Sequence, residues 1–370
     1  MSRPTYIFAG GGTGGHLYPA LAVAEQVLKA CSDAAIVFAC SNRPIDRRVL
    51  SGTDYAIVPQ PIQPLPRRIR SVPGFLASWW KSGKLAGAML RDLKPLAVLG
   101  TGGFAAAPIV KRASKLGIPV AMLNPDAVPG KANRYLAKYV DVVFTQFEST
   151  AAMFSPAISA RARAVGCPIR SGFTRADRGQ AVDYFSLDPN RKTLLVNGGS
   201  QGAATINEAV AMLADDLGEF ADRWQLLHVT GLSQITEVAD SDNARTIPSV
   251  VLDYCDRMDL AYAAADVALC RGGASTAAEL TASGTPSVIM PYPYHADDHQ
   301  RLNAAPLEDC GAALICKDAA DGPENAAMLR DQLIGLLGDS DRLESMRESA
   351  VSMARPEASG DVAEWMLREA

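Results

Sequence analysis

The stretch TYIFAGGGTGGHLYPALAVAEQVL, residues Thr5 to Leu28, places an apolar run, a glycine cluster and a helical pattern in direct succession. A short apolar run bounded by glycine is typical of a strand that is buried on both faces of a parallel sheet. The residues after the glycines repeat apolar positions at helical spacing. The order of strand, glycine turn and helix predicts the first half of a βαβ unit.

The same alternation continues along the chain and then restarts. Further strands are predicted at 34–40, 96–100, 119–123 and 141–145, and a second strand, glycine loop and helix follow at 192–217, with later strands at 224–230, 250–254, 266–270, 286–291 and 312–316. The pattern predicts an α/β protein of two Rossmann-like, doubly wound domains that face each other across a cleft. We place these domains at 1–167 and 168–355, and expect an amphipathic helix at about 356–370 to pack back on the first.

Composition and charge narrow the function classes. The chain has 370 residues, 48% of them hydrophobic, which suits two folded domains. Its net charge of -4 gives no reason to expect a nucleic-acid partner. Seven cysteines without a C-x-x-C pair fit a reducing compartment. Neither a signal peptide nor a run of about 18 apolar residues is present, so we expect a cytoplasmic protein.

Four glycine loops follow predicted strands, at 10–15, 100–103, 198–202 and 272–273. Such loops bring backbone N–H groups and a helix start close to an anion. The first loop also fits the dinucleotide pattern G-x-G-x-x-G, but the second strand ends in Ser41, Asn42 and Arg43 where an acidic residue would bind a ribose. Because Arg43 could accept a 2′-phosphate, an NADP-dependent oxidoreductase remains an alternative.

The segment CRGGASTAAEL, residues 270–280, predicts a nucleotide site in the second domain. Gly272 and Gly273 open a helix, and Glu279 lies inside it, where a carboxylate could accept hydrogen bonds from a ribose diol. The later loop HADDHQ, residues 295–300, suggests either a metal site or a set of groups for sugar hydroxyls. No further ligands at metal spacing are evident, so we favour the sugar and expect no metal.

Five segments in this order, GGGTGGHLYPALA, LGTGGFAAAPIV, AVPGKANRYLAK, LLVNGGSQGAATIN and CRGGASTAAEL with DDHQRLNA, resemble the MurG family. These are GT-B glycosyltransferases of family 28. The resemblance implies an inverting hexosyltransferase of peptidoglycan synthesis, which moves GlcNAc from UDP-GlcNAc to the 4-hydroxyl of MurNAc in lipid I and forms lipid II. It implies no cofactor besides this donor substrate, and a location at the inner face of the cell membrane.

The resemblance also implies roles for individual residues. His16 would be the general base, or alternatively a helix-start histidine that caps or binds phosphate, and the first glycine loop would cradle the acceptor's pyrophosphate. The residues placed with the donor are Thr13, Gly14, Gly15, Arg170, Ser200, Gln201, Cys255, Met258, Gly273, Ala274, Ser275, Glu279, His299, Gln300 and Asn303. The residues placed with the acceptor are Gly103, Phe104 and Asp126.

Two segments depart from the family pattern. The family's HEQN is replaced by Leu123, Asn124, Pro125 and Asp126, and its GNPVR becomes GCPIR with Cys167. These changes concern the acceptor side more than the donor side. A relative with another acceptor, or a UDP-sugar binding protein without turnover, therefore stays open.

The segment 64–90 combines Arg67, Arg68 and Arg70 with Phe75, Trp79 and Trp80. Aromatic residues flanked by cations suit contact with an anionic membrane surface. The alternative is an ordinary helix whose aromatic residues enter the core. The lipid-linked acceptor implied by the resemblance favours membrane contact through Phe75, Trp79 and Trp80.

Overall fold

A computed structural model describes residues 3–66, 68–199, 202–231, 247–294 and 297–369. The strands are β1 (Thr5–Ala9), β2 (Ala35–Ala39), β3 (Ala56–Ile57), β4 (Ala97–Gly100), β5 (Val120–Asn124), β6 (Val142–Thr145), β7 (Ala162–Ala164), β8 (Lys192–Asn197), β9 (Trp224–Val229), β10 (Ser249–Leu252), β11 (Val267–Cys270), β12 (Ser287–Ile289) and β13 (Ala313–Ile315).

The α-helices among these residues are α1 (Gly14–Ala30), α2 (Pro44–Leu50), α3 (Val72–Leu93), α4 (Gly103–Lys115), α5 (Lys131–Leu136), α6 (Glu148–Ala151), α7 (Pro156–Ser159), α8 (Arg178–Phe185), α9 (Ala204–Met212), α10 (Ala214–Gly218), α11 (Met258–Ala264), α12 (Ala274–Ser283), α13 (His299–Asp309), α14 (Gly322–Leu329), α15 (Gly335–Gly338), α16 (Ser340–Ser352) and α17 (Ala358–Arg368). Short 3-10 turns and one π-helical turn connect some of them.

The chain forms two compact units. The first comprises Met1–Arg170 and Pro356–Ala370, and the second Ser171–Arg355. The change between units therefore falls after Arg170, three residues beyond the boundary placed from the sequence. The predicted α/β fold of doubly wound sheets is confirmed in each unit.

The first unit is built on a parallel sheet in the order β3-β2-β1-β4-β5-β6-β7. Its central strand β1 is buried along its whole length, because helices cover both faces of the sheet. The short edge strands β3 and β7 were not predicted. They are only two and three residues long, and their residues are exposed or half-buried.

The C-terminal helix α17 belongs to the core of the first unit. Val362, Trp365 and Met366 are buried in one hydrophobic cluster with Leu17 of α1. The Trp365 ring meets the edge of the Phe144 ring of β6, with centroids 6.3 Å apart. This helix therefore packs on α1, whose first turn carries His16.

The second unit has the parallel order β10-β9-β8-β11-β12-β13. Its core includes Trp224, which is almost completely buried and donates its indole N–H to the Leu337 carbonyl at 3.0 Å. The observed strand bounds lie within one or two residues of most predicted ones, because the apolar runs that predict them are also the segments buried from water.

Candidate active site

The four glycine loops lie beside the two topological switch points, one in each unit. Strand order reverses between β1 and β4 in the first unit and between β8 and β11 in the second. Glycine-containing turns follow each of these strands at its carboxyl end. Open α/β sheets bind their ligands at such points, so each unit carries one candidate site at the edge that the sequence indicated.

The first glycine loop is held by Asp46 of α2, a residue that the sequence patterns did not single out. The Gly12 N–H donates to Asp46 Oδ1 at 2.7 Å, while the Ser41 N–H and hydroxyl donate to Oδ2 at 2.8 and 2.6 Å. Asp46 is fully buried. Gly11 has φ of +143°, and a β-carbon there would lie 2.4 Å from Asp46 Oδ2. Only glycine therefore fits between the loop and this carboxylate.

These contacts bear on the dinucleotide alternative. The Gly12 N–H, which a bound phosphate would need, is engaged by Asp46. Arg43 donates from Nη1 to the Gly12 carbonyl at 3.1 Å, and its guanidinium lies 5.4 Å from the centroid of the Phe104 ring. By contrast, Thr13 makes no capping hydrogen bond and the first turn of α1 has no acidic residue. The start of α1 thus keeps its positive dipole end for an anion.

His16 lies in that first turn and is half-buried. Its Nδ1 is 3.1 Å from the Gly11 carbonyl oxygen and 3.1 Å from Thr13 Oγ1. A carbonyl oxygen only accepts hydrogen bonds, so the neutral ring carries its proton on Nδ1 and its lone pair on Nε2. Sequence alone left His16 divided between a base and a capping residue, and this geometry gives it a proton-accepting nitrogen.

Burial lowers the pKa of His16 below its ordinary value, while the Asp126 charge, the Gly11 carbonyl and Asp46 act in the opposite direction and only partly offset the burial. The imidazole is therefore neutral at pH 7. Asp126, which the resemblance placed on the acceptor side, acts on His16 through its charge. The chemical consequence is a ring that can take up a proton at Nε2.

His16 Nε2 lies beside the loop after β4. A β-carbon on Gly102 would lie 3.3 Å from His16 Nε2 and 2.8 Å from Asn133 Oδ1. Gly102 has φ of +96° and Gly103 has φ of +73°, and both pack against the histidine ring. Glycine is needed at both positions because the backbone is left-handed and a β-carbon would lie only 2.8 Å from Asn133 Oδ1 at Gly102 and from the Gly11 carbonyl oxygen at Gly103.

Buried polar groups that sequence reasoning missed lie near the same loop. Asn133 Nδ2 donates to Asn124 Oδ1 at 2.9 Å, and Asn124 Nδ2 donates to the Asp126 carbonyl at 2.7 Å. Asn133 Oδ1 and Thr101 Oγ1 are buried and have no hydrogen-bond partner among the described residues. The sequence signal was the motif that contains Asn133, but no residue within it stood out. Buried acceptors without partners suit a ligand that brings hydroxyl groups.

Arg170 is the last residue of the N-terminal segment of the first unit. Its guanidinium lies 4.6 Å from the centroid of the Tyr18 ring of α1. The residue was placed with the donor by motif match, and its observed contact is with the helix that carries His16.

In the second unit, the glycine turn before α12 is packed tightly on α13. A β-carbon at Gly272 would lie 2.3 Å from the Gln300 carbonyl oxygen. Asn303 is buried and donates from Nδ2 to the Gly272 carbonyl at 3.2 Å. Gln300 Oε1 accepts the Tyr292 N–H at 2.8 Å, and His299 Nδ1 lies 2.9 Å from Asp297 Oδ1. Asn303 and Gln300 therefore position backbone segments of the candidate donor site.

A buried ion pair that the sequence did not reveal supports this turn from behind. Arg271 Nη1 donates to Asp318 Oδ2 at 2.7 Å, and the Thr205 hydroxyl donates to the same oxygen at 2.6 Å. Asp318 Oδ1 accepts from the Ala320 N–H and from Asn325 Nδ2. The Asp318 side chain is fully buried and that of Arg271 is 11% exposed. The residue directly before the glycine turn is thus fixed.

The remaining donor residues lie around α12. Gly273 is its N-cap, Ala274 its first residue, and the Ser275 hydroxyl is buried without a partner among the described residues. Glu279 is half-buried. Burial is the main cause that raises the pKa of Tyr262 well above its ordinary value, and the charge of Glu279 adds to this rise. Elsewhere in the unit, Cys255 is buried and Met258 begins α11.

Two predicted donor residues, Ser200 and Gln201, lie outside the described residues, as does His295. Among the residues that the structure describes, no three His, Cys, Asp or Glu side chains come together to hold a metal ion.

The comparisons with known proteins cover both units. The model of the glycosyltransferase family 28 N-terminal domain matches residues 6–145, and that of the C-terminal domain matches residues 193–359. Two relatives carry the name UDP-N-acetylglucosamine–N-acetylmuramyl-(pentapeptide) pyrophosphoryl-undecaprenol N-acetylglucosamine transferase. That of Desulforamulus reducens is 33% identical, with 96% of each chain covered, and that of Chlorobaculum tepidum is 36% identical, with 98% of each covered.

Solved structures agree with these matches. The crystal structure of Acinetobacter baumannii MurG has a TM-score of 0.74 at 28% identity and covers 99% of both chains. A UDP-GlcNAc 2-epimerase from Neisseria meningitidis has a TM-score of 0.67 at 16% identity, over 98% of this chain and 100% of that one, which shows the fold alone. Because both family models match and relatives of 33 to 36% identity cover nearly the whole chain, the protein belongs to glycosyltransferase family 28, with the GT-B fold, and within it to the MurG family.

Proposed function

We propose that this protein transfers GlcNAc from UDP-GlcNAc, with inversion, to the 4-hydroxyl of the MurNAc residue of lipid I, forming lipid II. The 4-hydroxyl oxygen bonds to the anomeric carbon as the bond from that carbon to the diphosphate oxygen breaks. UDP leaves, and the hydroxyl proton passes to His16 Nε2. The names of the family's members support this choice of substrates.

The observation that carries the proposal is the state of His16. Its Nδ1 is fixed by the Gly11 carbonyl and its pKa is lowered by burial, so Nε2 is a free-base nitrogen at neutral pH. The unpartnered oxygens of Thr101 and Asn133 lie buried in the same neighbourhood and suit the hydroxyl groups of an acceptor sugar. A positioned base of this kind contributes about 10²- to 10⁴-fold to a rate.

The two units would divide the substrates. The unit that comprises Met1–Arg170 and Pro356–Ala370 would bind the acceptor, with its pyrophosphate near the start of α1. The unit Ser171–Arg355 would bind the donor, with the diphosphate at the N-terminus of α12 and the ribose diol on Glu279. Ser200 and Gln201 would approach the diphosphate as the motif implies.

The test is UDP release from UDP-GlcNAc with and without a lipid I analogue. We expect release that depends on the acceptor, and a loss of at least about 100-fold in kcat for His16→Ala with UDP-GlcNAc binding unchanged by calorimetry. A loss of only a few-fold would remove His16 from the role of base. Donor binding without acceptor-dependent release would instead direct the search to other acceptors, since Leu123–Asp126 departs from the family pattern.

We also propose that the protein binds reversibly to the inner face of the cell membrane through one surface of the first unit, defined by Leu65, Ile69, Leu76 and Trp80. Their exposed fractions are 60, 90, 58 and 60%. The described residues include no helix that is both long and apolar enough to span a bilayer. An exposed apolar surface flanked by cations, here including Lys84 with its Nζ 3.9 Å from the Trp80 ring centroid, suits anionic headgroups.

Helix phase distinguishes the three aromatic residues that the sequence placed at the membrane. Trp79 is half-buried and packs on the hydrophobic core, and the half-buried Phe75 contacts its ring at 6.1 Å between centroids. Trp80 points to solvent.

We therefore expect Trp80→Ala combined with Leu76→Ala to reduce co-sedimentation with phosphatidylglycerol vesicles. Leu116→Ala, at a residue 44% exposed on another helix end, is the control. Unchanged co-sedimentation of the double variant would exclude this surface.

A further inference from the structure

We infer that Asp46 is the positioning residue of the transfer reaction: its buried carboxylate fixes the Gly11–Gly12 peptide so that the Gly11 carbonyl holds His16 with Nε2 free to accept a proton. The inference deepens the proposed function and rests on it, because it assigns the group that keeps the proposed base in its working form.

The geometry forms a continuous chain from Asp46 to the imidazole. Oδ1 of Asp46 accepts the Gly12 N–H at 2.7 Å, which fixes the peptide plane between Gly11 and Gly12. That plane also contains the Gly11 carbonyl, whose oxygen lies 3.1 Å from His16 Nδ1. Rotation of this peptide would break both hydrogen bonds together. The tautomer of His16 therefore depends on a carboxylate from a different helix.

The other oxygen of Asp46 fixes the carboxylate itself. Oδ2 accepts from both the N–H and the hydroxyl of Ser41, two residues after the end of β2. A fully buried carboxylate with hydrogen bonds on both oxygens cannot rotate without leaving buried donors unpaired, at a cost of roughly 1 to 3 kcal/mol for each. Gly11, with φ of +143° and no space for a β-carbon beside Oδ2, allows the loop to approach this closely.

Asp46 has a second, electrostatic effect on His16. The charged groups that face the imidazole are Asp46 from α2 and Asp126 from the loop after β5, and both raise its pKa against the lowering by burial. Arg43, on the Gly12 carbonyl, is the neighbouring cation. Loss of the Asp46 charge, and of the Gly11 carbonyl contact, would each lower the pKa of His16 further. A purely structural role would not change it.

The experiment compares Asp46→Asn with Asp141→Asn. Asp141 Oδ2 likewise accepts a backbone N–H, from Val120 at 2.8 Å, but at the opposite ends of the strands from the glycine loops. For Asp46→Asn we expect kcat to fall by about 10- to 100-fold, as a small misplacement of a catalytic group does. We also expect the acidic limb of the kcat/KM profile to move to lower pH. Asp141→Asn should leave that limb in place.

A readout independent of turnover comes from ¹⁵N NMR of the imidazoles, which is feasible because the chain has four histidines. The spectrum of His16→Gln assigns the His16 signals. In the wild type we expect a protonated Nδ1 and an unprotonated Nε2, and in Asp46→Asn a shift toward averaged tautomers. Identical His16 signals and titration in both proteins would overturn the inference.

Ser41→Ala keeps the experiment decisive if Asp46→Asn does not fold. It removes the 2.6 Å hydrogen bond to Oδ2 but retains the charge and the Gly12 contact. We expect a partial shift of the His16 tautomer, and an unchanged tautomer would count against positioning by Asp46. Wild-type protein without any acceptor-dependent UDP release would refute the proposed function instead, while the NMR titration would still decide whether Asp46 controls His16.

Discussion

Replacement of Asp318 by asparagine tests whether the buried ion pair with Arg271 holds the second unit together behind its glycine turn. Asparagine has nearly the same shape, and its Oδ1 can still accept from the Ala320 N–H and Asn325 Nδ2. Its NH₂ group would replace the oxygen that now accepts from Arg271 and Thr205. The change therefore removes the negative charge and places the asparagine NH₂ group against the N–H of Arg271 and the hydroxyl of Thr205, which are also donors. The packing stays almost the same.

The size of the effect follows from burial. Removing one partner of a buried ion pair lowers the free energy of unfolding by about 3 to 5 kcal/mol, because the remaining charge stays buried without compensation. Asp318 is fully buried and Arg271 is 11% exposed. Arg271 Nη1 still has the Met290 carbonyl at 2.9 Å and the Pro291 carbonyl at 3.3 Å. We therefore expect the lower end of this range, about 3 kcal/mol, and a higher KM for UDP-GlcNAc.

Urea unfolding followed by circular dichroism measures this loss. The control is Asp216→Asn in the same unit, which breaks an ion pair with Arg330 whose side chains are 26 and 53% exposed and should cost less than about 1 kcal/mol. In a double-mutant cycle, Arg271→Met with Asp318→Asn should cost clearly less than the sum of the single changes. A loss below about 1 kcal/mol for Asp318→Asn, or strict additivity, would refute the reasoning.

The same carboxylate predicts a pH dependence of stability. Burial alone would raise the pKa of Asp318, but hydrogen bonds from Thr205 and Arg271, together with further donors, outweigh it and hold the pKa below its ordinary value. A depressed pKa stabilises the folded state above the unfolded pKa of about 4, and this stabilisation is lost as pH falls through the folded value. The difference in urea midpoint between wild type and Asp318→Asn should therefore shrink below about pH 4. A constant difference would contradict this.

Three further changes test other parts of the structure. Trp365→Ala should destabilise the first unit by about 3 to 5 kcal/mol, measured by urea unfolding, because the ring is buried in the core; a loss under 1 kcal/mol would mean that α17 does not pack there. Gly102 has φ of +96°, and a β-carbon there would lie 3.3 Å from His16 Nε2, so Gly102→Ala should reduce transfer by about 100-fold. Gly52 has open space around it, so Gly52→Ala should leave activity unchanged. Equal activities of the two variants would contradict the close approach of Gly102 to His16. Asp321→Ala removes an N-cap hydrogen bond at 3.0 Å and should lower the free energy of unfolding by about 1 kcal/mol, and no change would show that the cap contributes nothing.

Much of the fold follows from local pattern. Apolar runs such as Thr5–Ala9 became central strands because a strand covered by helices on both faces needs apolar residues throughout. The edge strands Ala56–Ile57 and Ala162–Ala164 were missed because they are only two and three residues long. Glycines at strand ends also marked both switch points, because each glycine turn closely follows its strand in the sequence.

The sequence by itself determined the two parallel sheets, the position of their glycine-rich edges and the family, because each depends on residues that are close together in the chain. The tertiary structure alone decided which side chains support those edges. Asp46 reaches Gly12 across 34 residues, and Asp318 reaches Arg271 across 47. A carboxylate gives no sign in the sequence of the distant N–H or guanidinium that it will meet, since only the packing of separate helices and strands brings such partners within hydrogen-bond distance and excludes water from them.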